Sequence, residues 1–280
     1  MKVAVIQMVS GTSLEANLDS ARALLQAAAT QGAELAVLPE YFCLLGRSDT
    51  DKLAIQETLG EEGPIQRLLA SSARELGLWL VGGTLPLALR PAGPGASAPS
   101  DRVYNSTLVY SPVGELVCRY DKMHLFRFDN GRERYDESAV LRAGRTPASF
   151  ELPSRDGQRW RIGLSICYDL RFPELYRSYA AQGAHLLLVP SAFTHGTGQA
   201  HWEVLLRARA IENLAFVAAA AQGGLHENGR RTWGHSLLVD PWGGVLGEQP
   251  EGAGVVCAEL DFARLGACRA KLPALGDRVL

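Results

Sequence analysis

The chain has 280 residues, 47% of them hydrophobic and 21% charged, an ordinary globular composition with length for a large core, as one large domain or two small ones. The formal net charge is -2 with no block of basic residues, which argues against nucleic acid or an anionic membrane as a main partner. No apolar run approaches the roughly 20 residues of a membrane span, and the five cysteines are odd in number, widely spaced and without a Cys-x-x-Cys pair, which argues against a disulfide framework or a zinc site and fits a reducing cytosol.

The N-terminus, Met1-Lys2-Val3-Ala4-Val5-Ile6-Gln7, lacks the long apolar region of a signal peptide and reads as a first strand over 3–6. Thr12-Ser13-Leu14-Glu15 has capping-box spacing. A helix should follow, with Leu18, Ala21, Leu24, Leu25 and Ala28 on one face and Gly32 as its stop. A second strand over 35–38 ends at Pro39, and Glu40 comes directly after. A helix over 64–76, stopped by Gly77, leads to a third strand over 78–81. Residues 91–100 are rich in Pro, Gly, Ala and Ser and read as a surface loop. Strands over 107–110 and 115–120 form a hairpin whose turn, Ser111-Pro112-Val113-Gly114, suits type I. Lys122 stands just beyond the returning strand. Residues 123–148, with Arg127, Arg132, Arg134 and Glu137, read as a long functional loop.

In Arg161 to Leu175, a strand in which Trp160, Ile162, Leu164 and Ile166 alternate with smaller or polar residues gives way to a helix opened by Pro173 and Glu174. Cys167 sits at the junction, off the end of a sheet, where chemistry usually happens in α/β proteins. Taken alone it reads more readily as one more buried thiol, and what lies elsewhere in the chain reverses that reading. A strand over 185–189 again ends in a proline, Pro190. A helix over 201–213, a strand over 215–221 and a second hairpin with the turn Asp240-Pro241-Trp242-Gly243 complete the pattern. Cys118 and Cys257 lie in apolar strand patterns and are expected in the core. The two halves echo one another, which suggests two similar α/β layers packed face to face.

Three chemically useful side chains therefore stand at strand exits: Glu40, Lys122 and Cys167. A glutamate base, a lysine cation and a cysteine nucleophile make an acyl-transfer set. A nearby ammonium should lower the thiol pKa, and a carboxylate can take the proton.

At these residues the sequence resembles the nitrilase superfamily of carbon–nitrogen hydrolases. The matching motifs are Leu38-Pro39-Glu40, then Tyr120 to Phe126, then Gly163 to Glu174. The resemblance continues through Pro190 to Phe193, Ala200 to Glu212, Trp233 to Ser236 and Asp240 to Gly243. These later motifs resemble the Nit branch, which holds deaminated glutathione amidases and omega-amidases, and the helix with His201-Trp202-Glu203 is closer to the former. The resemblance implies an α/β fold, a four-layer α-β-β-α sandwich, with residues 1–280 as a single domain. It also implies Glu40 as general base, Cys167 as nucleophile, and Lys122 with the backbone amide of Tyr168 as oxyanion donors. Glu137, at the place of the family's second glutamate, would orient Lys122 or the substrate. No metal or organic cofactor is implied.

The implied substrate is a small linear amide, foremost deaminated glutathione, cleaved to 2-oxoglutarate and cysteinylglycine, with α-ketoglutaramate as the alternative. Arg127, Arg132, Arg134 and Arg171 flank the motifs, and any of them could grip a carboxylate or be a plain solvated charge. Tyr41 and Phe193 follow motifs and are candidate pocket residues. His195, His201 and His235 have no metal-ligand spacing and should satisfy local hydrogen bonds. Trp202, Leu205 and Leu206 share a helical face and read as core or interface. The stretches 42–62 and 87–101 match no family pattern. Helix 173–182 carries apolar residues that look exposed, which suggests a homodimer or larger homo-oligomer. Two other readings stay open: a serine elbow at Gly163-Leu164-Ser165-Ile166-Cys167, disfavoured by cysteine in the last position, and a non-catalytic scaffold of the same fold.

Overall fold

The computed structural model describes residues 1–61, 63–88, 101–129, 131 and 134–279. The first half contains β1 (Lys2–Gln7), α1 (Leu14–Thr30), β2 (Leu35–Val37), α2 (Asp51–Ala54), α3 (Pro64–Leu76), β3 (Trp79–Val81), β4 (Leu85–Ala88), β5 (Val103–Tyr110) and β6 (Leu116–Asp121). A short ribbon, β7 (Arg127–Asp129) with β8 (Arg134–Asp136), follows. The second half contains β9 (Ser149–Pro153), β10 (Arg159–Leu164), α4 (Pro173–Ala181), β11 (Leu186–Leu188), α5 (His195–Asn213) and β12 (Phe216–Ala219). It closes with β13 (Gly223–Leu225), β14 (Arg231–Trp233), β15 (Ser236–Val239), β16 (Val245–Gln249), β17 (Gly254–Glu259) and α6 (Phe262–Lys271).

One sheet runs β17-β1-β2-β3-β5, with β4 and β6 both paired to β5; the other runs β16-β15-β12-β11-β10-β9. In each, three parallel strands (β1, β2, β3 and β10, β11, β12) pass into an antiparallel hairpin (β5 with β6, β15 with β16). The echo in the sequence is thus a repeated topology. The strand residues sort by period 2: Val3, Val5, Leu35 and Val37 face the second sheet's Ile162, Leu164, Leu186 and Leu188, while Ala4, Ile6, Ala36 and Leu38 pack under α1 and α3. Helices α4 and α5 cover the far side of the second sheet with Tyr176, Trp202 and Leu206. The result is the expected α-β-β-α order, and burial on both faces is why the central strands read as unbroken apolar runs.

Several details depart from the sequence reading. The cap of α1 is Ser13, whose hydroxyl accepts from the Ala16 N–H, while Thr12 reaches out to Glu227 instead. Helix α5 begins at His195, six residues before the expected start. The apolar residues of α4, Leu175, Tyr176, Tyr179 and Ala180, are buried within this chain, so that helix offers no apolar face to a second copy. Cys118 and Cys257 are only partly buried against the core. The loop expected at 91–100 and Arg132 lie outside the described residues.

Candidate active site

Parallel strands present their C-terminal ends at one edge, and loops there can point side chains off the sheet. Chain exits from both sheets meet at this site. After β2, Tyr41 takes a left-handed backbone conformation, φ 55°, and its N–H donates to the Thr84 hydroxyl at 2.8 Å. That turn needs Gly83 beside it: a Cβ there would stand 2.1 Å from the Pro39 carbonyl oxygen. After β10, Cys167 is also left-handed, φ 50°, and its N–H donates to Pro190 O at 2.9 Å, at the exit of β11. A non-glycine residue in this region costs of order 1–3 kcal/mol and persists where the surroundings fix it. Here the strain turns the thiol out of the sheet.

The exits bring Glu40, Lys122, Glu137 and Cys167 together. Glu40 Oε1 accepts from Lys122 Nζ at 2.9 Å and from Asn105 Nδ2 at 2.8 Å; its Oε2 accepts from the Ala192 N–H at 3.0 Å. Cys167 lines the same cleft as this carboxylate and is electrostatically coupled to it. Lys122 is held from the other side by Glu137 at 2.8 Å. Glu137 in turn accepts from the Tyr41 hydroxyl at 2.8 Å and the Phe126 N–H at 2.7 Å. Lys122 and Glu40 are each only 1% exposed, so water does little to screen them.

A second buried carboxylate ties the supports of this group. Asp169, fully buried, accepts from the Tyr120 hydroxyl at 2.7 Å and the Ile166 N–H at 2.9 Å. Its other oxygen accepts from the His124 N–H at 3.0 Å and meets His124 Nδ1 at 2.7 Å. One side chain therefore joins the strand exit that carries Lys122 to the turn that carries Cys167.

The charges sort the two glutamates. Burial raises the pKa of both, but at Glu137 Lys122, the Phe126 N–H and Lys52 together outweigh it and hold the carboxyl below the usual range. At Glu40 burial wins over Lys122, and the Glu137 charge pushes further upward. Burial would lower the Lys122 pKa, yet the Glu137 and Glu40 carboxylates hold the ammonium well above its ordinary value. Two carboxyls that share one ammonium are thus driven apart, the signature of different roles. Burial, then the Glu40 charge, pushes the Cys167 thiol well above its ordinary range, against the pull of Lys122. The ammonium does pull the thiol pKa down, as expected, but burial and the Glu40 charge outweigh it.

The cleft over this group is lined by Tyr41, Lys52, Phe126, Tyr168, Arg171 and Phe193, among others. Of the candidates named from the sequence, Tyr41, Arg171 and Phe193 line this cleft. Arg127 does not: it lies outside the cleft, exposed, and pairs with Asp136 at 3.1 Å. Arg134 is exposed and also off the cleft. Ser165 is buried away from it, bonded to Leu188 O and the Tyr176 hydroxyl at 2.7 Å each, which removes the serine-elbow reading. His201 meets Arg171, His235 meets Glu248, and His195 packs edge-on to Trp233. Among the described residues no group of three or more His, Cys, Asp or Glu could hold a metal ion, and no helix is long and apolar enough to cross a membrane. Sequence reasoning missed Asn105, Asp169 and Lys52. Asp169 lay inside a matched motif, but nothing in the sequence marked Asn105 or Lys52.

The Carbon-nitrogen hydrolase family model matches residues 2–270. A deaminated glutathione amidase of Synechocystis sp. (strain PCC 6803 / GT-S) is 38% identical over 278 residues, covering 99% of this chain and 97% of that protein. An omega-amidase NIT2 of Danio rerio is 34% identical over 278 residues, covering 99% and 94%. Saccharomyces cerevisiae Nit3, a member of branch 10 of the nitrilase superfamily, superposes with a TM-score of 0.85 at 29% identity, over 100% of this chain and 97% of that one. A mutant amidase from Nesterenkonia sp. AN1, carrying acrylamide added at its active site cysteine, superposes with a TM-score of 0.75 at 29% identity, over 98% of each chain. With the family match spanning nearly every residue and the fold shared with solved members, this chain belongs to the carbon–nitrogen hydrolases of the nitrilase superfamily.

Proposed function

We propose that this chain is an amidase that hydrolyses a small, carboxylate-bearing linear amide through a thioester on Cys167, with deaminated glutathione as the foremost substrate. The observation that carries this reading is that Cys167 and Glu40 line one cleft, with Glu40 and Glu137 each bonded to the buried ammonium of Lys122. Glu40 takes the thiol proton as sulfur attacks the amide carbonyl carbon, so no free thiolate has to be maintained. Lys122 faces the developing oxyanion, joined by the backbone N–H of Tyr168, which enters no backbone hydrogen bond among the described residues. Protonated Glu40 then passes its proton to the leaving amine nitrogen and the C–N bond breaks. Water, giving a proton to Glu40, adds to the thioester; the C–S bond breaks and the proton returns to sulfur. Glu137 keeps Lys122 charged and aimed and takes no proton itself.

Relatives named deaminated glutathione amidase and omega-amidase support the substrate class. Arg171, in the cleft four residues from the nucleophile, supports a carboxylate on the acyl half. The free cysteines fit a cytoplasmic protein. Self-association as a homodimer would use a face other than α4, and Val204, Ile211 and Trp242 are exposed candidates; sedimentation as a monomer at micromolar concentration would remove that part. The test of function is a product assay by mass spectrometry on wild type and Cys167→Ala. Wild type alone should release cysteinylglycine from deaminated glutathione. Faster turnover of α-ketoglutaramate would reassign the chain as an omega-amidase, and turnover by Cys167→Ala would refute the mechanism.

A further inference from the structure

Two further cations, Arg171 and Lys52, line the cleft beside the Glu40–Lys122–Cys167 group, near different aromatic residues. Arg171 has its guanidinium 5.8 Å from the Tyr168 ring centre and 5.4 Å from that of Phe193. Lys52, from α2, has its ammonium 4.8 Å from the ring centre of Tyr41, the residue that follows Glu40 and bonds Glu137. The other cations at the rim already have partners: Arg230 is paired with Asp49 at 3.0 Å and Arg231 with Glu251 at 3.1 Å. Lys52 lies over that ring and feels the charges of Glu137, Asp49 and Glu40 from a distance. Among the described residues no carboxylate comes within ion-pair distance of it, although it is half-buried, and burial pulls its pKa down. A partly desolvated cation with no carboxylate in direct contact is placed to pair with an incoming anion.

We propose that Lys52 binds a carboxylate on the amine half of the substrate, so that the cleft takes an amide with an anionic group on each side of the scissile bond. This rests on the amidase reading above. The direction follows from the chemistry. The acyl half stays on Cys167, beside Arg171. The amine half departs with a proton from Glu40, whose neighbour Tyr41 has Lys52 over its ring. Deaminated glutathione has a carboxylate on both halves, the second at its terminal glycine. The leaving group of α-ketoglutaramate is ammonia, which brings nothing to Lys52. Lys52 would therefore determine which of the two amides is preferred.

The test is steady-state kinetics of wild type, Lys52→Met and Lys52→Arg on three compounds: deaminated glutathione, its analogue with the glycine carboxylate amidated, and α-ketoglutaramate. Lys52→Met should raise KM for deaminated glutathione about tenfold more than KM for α-ketoglutaramate, the size of one lost hydrogen bond to a charged group, with kcat less affected than KM. Wild type should lose the same factor on the amidated analogue, and Lys52→Met should lose nothing further on it. Lys52→Arg should recover most of the loss. An equal loss on all three compounds would overturn the proposal by making Lys52 a general support of the site, and so would no loss on any. If wild type hydrolysed none of them, the amidase reading would fail and this proposal with it. If wild type hydrolysed them and the ratios did not move, only the assignment of Lys52 would fail.

Discussion

At the floor of the cleft the polar groups are saturated: Glu40 accepts from Lys122, Asn105 and Ala192, Glu137 from Lys122, Tyr41 and Phe126, and Asp169 from Tyr120, Ile166 and His124. At the rim, Lys52 rests on an aromatic ring and Arg171 touches a histidine and two ring faces. The floor is drawn from both sheets and has one arrangement. The rim comes from loops and from the four-residue helix α2. A saturated, buried network fixes distances and pKa values, which a chemical step needs. A rim with unspent hydrogen-bond donors is suited to recognise whichever anion arrives, and so to set specificity. The comparison predicts that floor substitutions act on kcat and on pH dependence, and that rim substitutions act on KM or not at all.

The largest effect should come from Glu40→Gln. It keeps the shape of the site but removes the proton acceptor, and kcat should fall by about a thousandfold or more. Activity within tenfold of wild type would break the assignment of the base. Next is Asp169→Asn, which leaves the volume in place but puts an amide where Ile166 and His124 each present a donor. Stability should fall by about 1–3 kcal/mol in chemical denaturation, and kcat by roughly tenfold, with KM moving less. A KM effect alone would place Asp169 with the rim.

A smaller effect concerns pH. Glu40 must be unprotonated to act as base, and its pKa is raised, so kcat/KM should fall with acid at a pH above the ordinary glutamate range. The Glu137 charge is one cause of that raise. In Glu137→Gln the acid limb should therefore move to lower pH, on top of a loss of kcat from the freed Lys122. An acid limb unmoved or moved upward would contradict the coupling. The smallest effect should be that of Arg127→Met: its partner Asp136 is reached on an exposed ribbon, and kcat and KM for deaminated glutathione should stay within about twofold of wild type.

The floor was largely legible in the sequence and the rim was not, for physical reasons. Glu40, Lys122 and Cys167 each follow a strand, and a charged or nucleophilic residue just past an apolar run is visible without a fold. Asn105 was not singled out because a polar residue within a strand is common on any half-exposed sheet. Desolvation is a property of the assembled site, so the ammonium's effect on Cys167 was foreseen but not the burial that exceeds it. Lys52 lies in a stretch without periodicity, and only the packing of α2 beside Tyr41 brings it to the cleft. The first turns of α5 hold Gly196, Thr197 and Gly198, poor helix formers. Gly198 is nonetheless helical because Trp233 packs against it: a Cβ there would lie 2.2 Å from the Trp233 side chain. The apolar residues of α4 look exposed in the sequence, because periodicity alone does not say whether the same chain or a second copy covers them; here the chain itself buries them.

The central claim is that Cys167 carries the acyl half of the substrate as a thioester, and acid-quenched intact-protein and peptide mass spectrometry during turnover of deaminated glutathione tests it most directly. The account predicts wild type heavier by one 2-oxoglutaryl group, mapped to the peptide containing Cys167, released by hydroxylamine and absent from Cys167→Ala. An unmodified Cys167 throughout productive turnover under conditions that preserve a thioester, or an acyl group on any other residue, would contradict it.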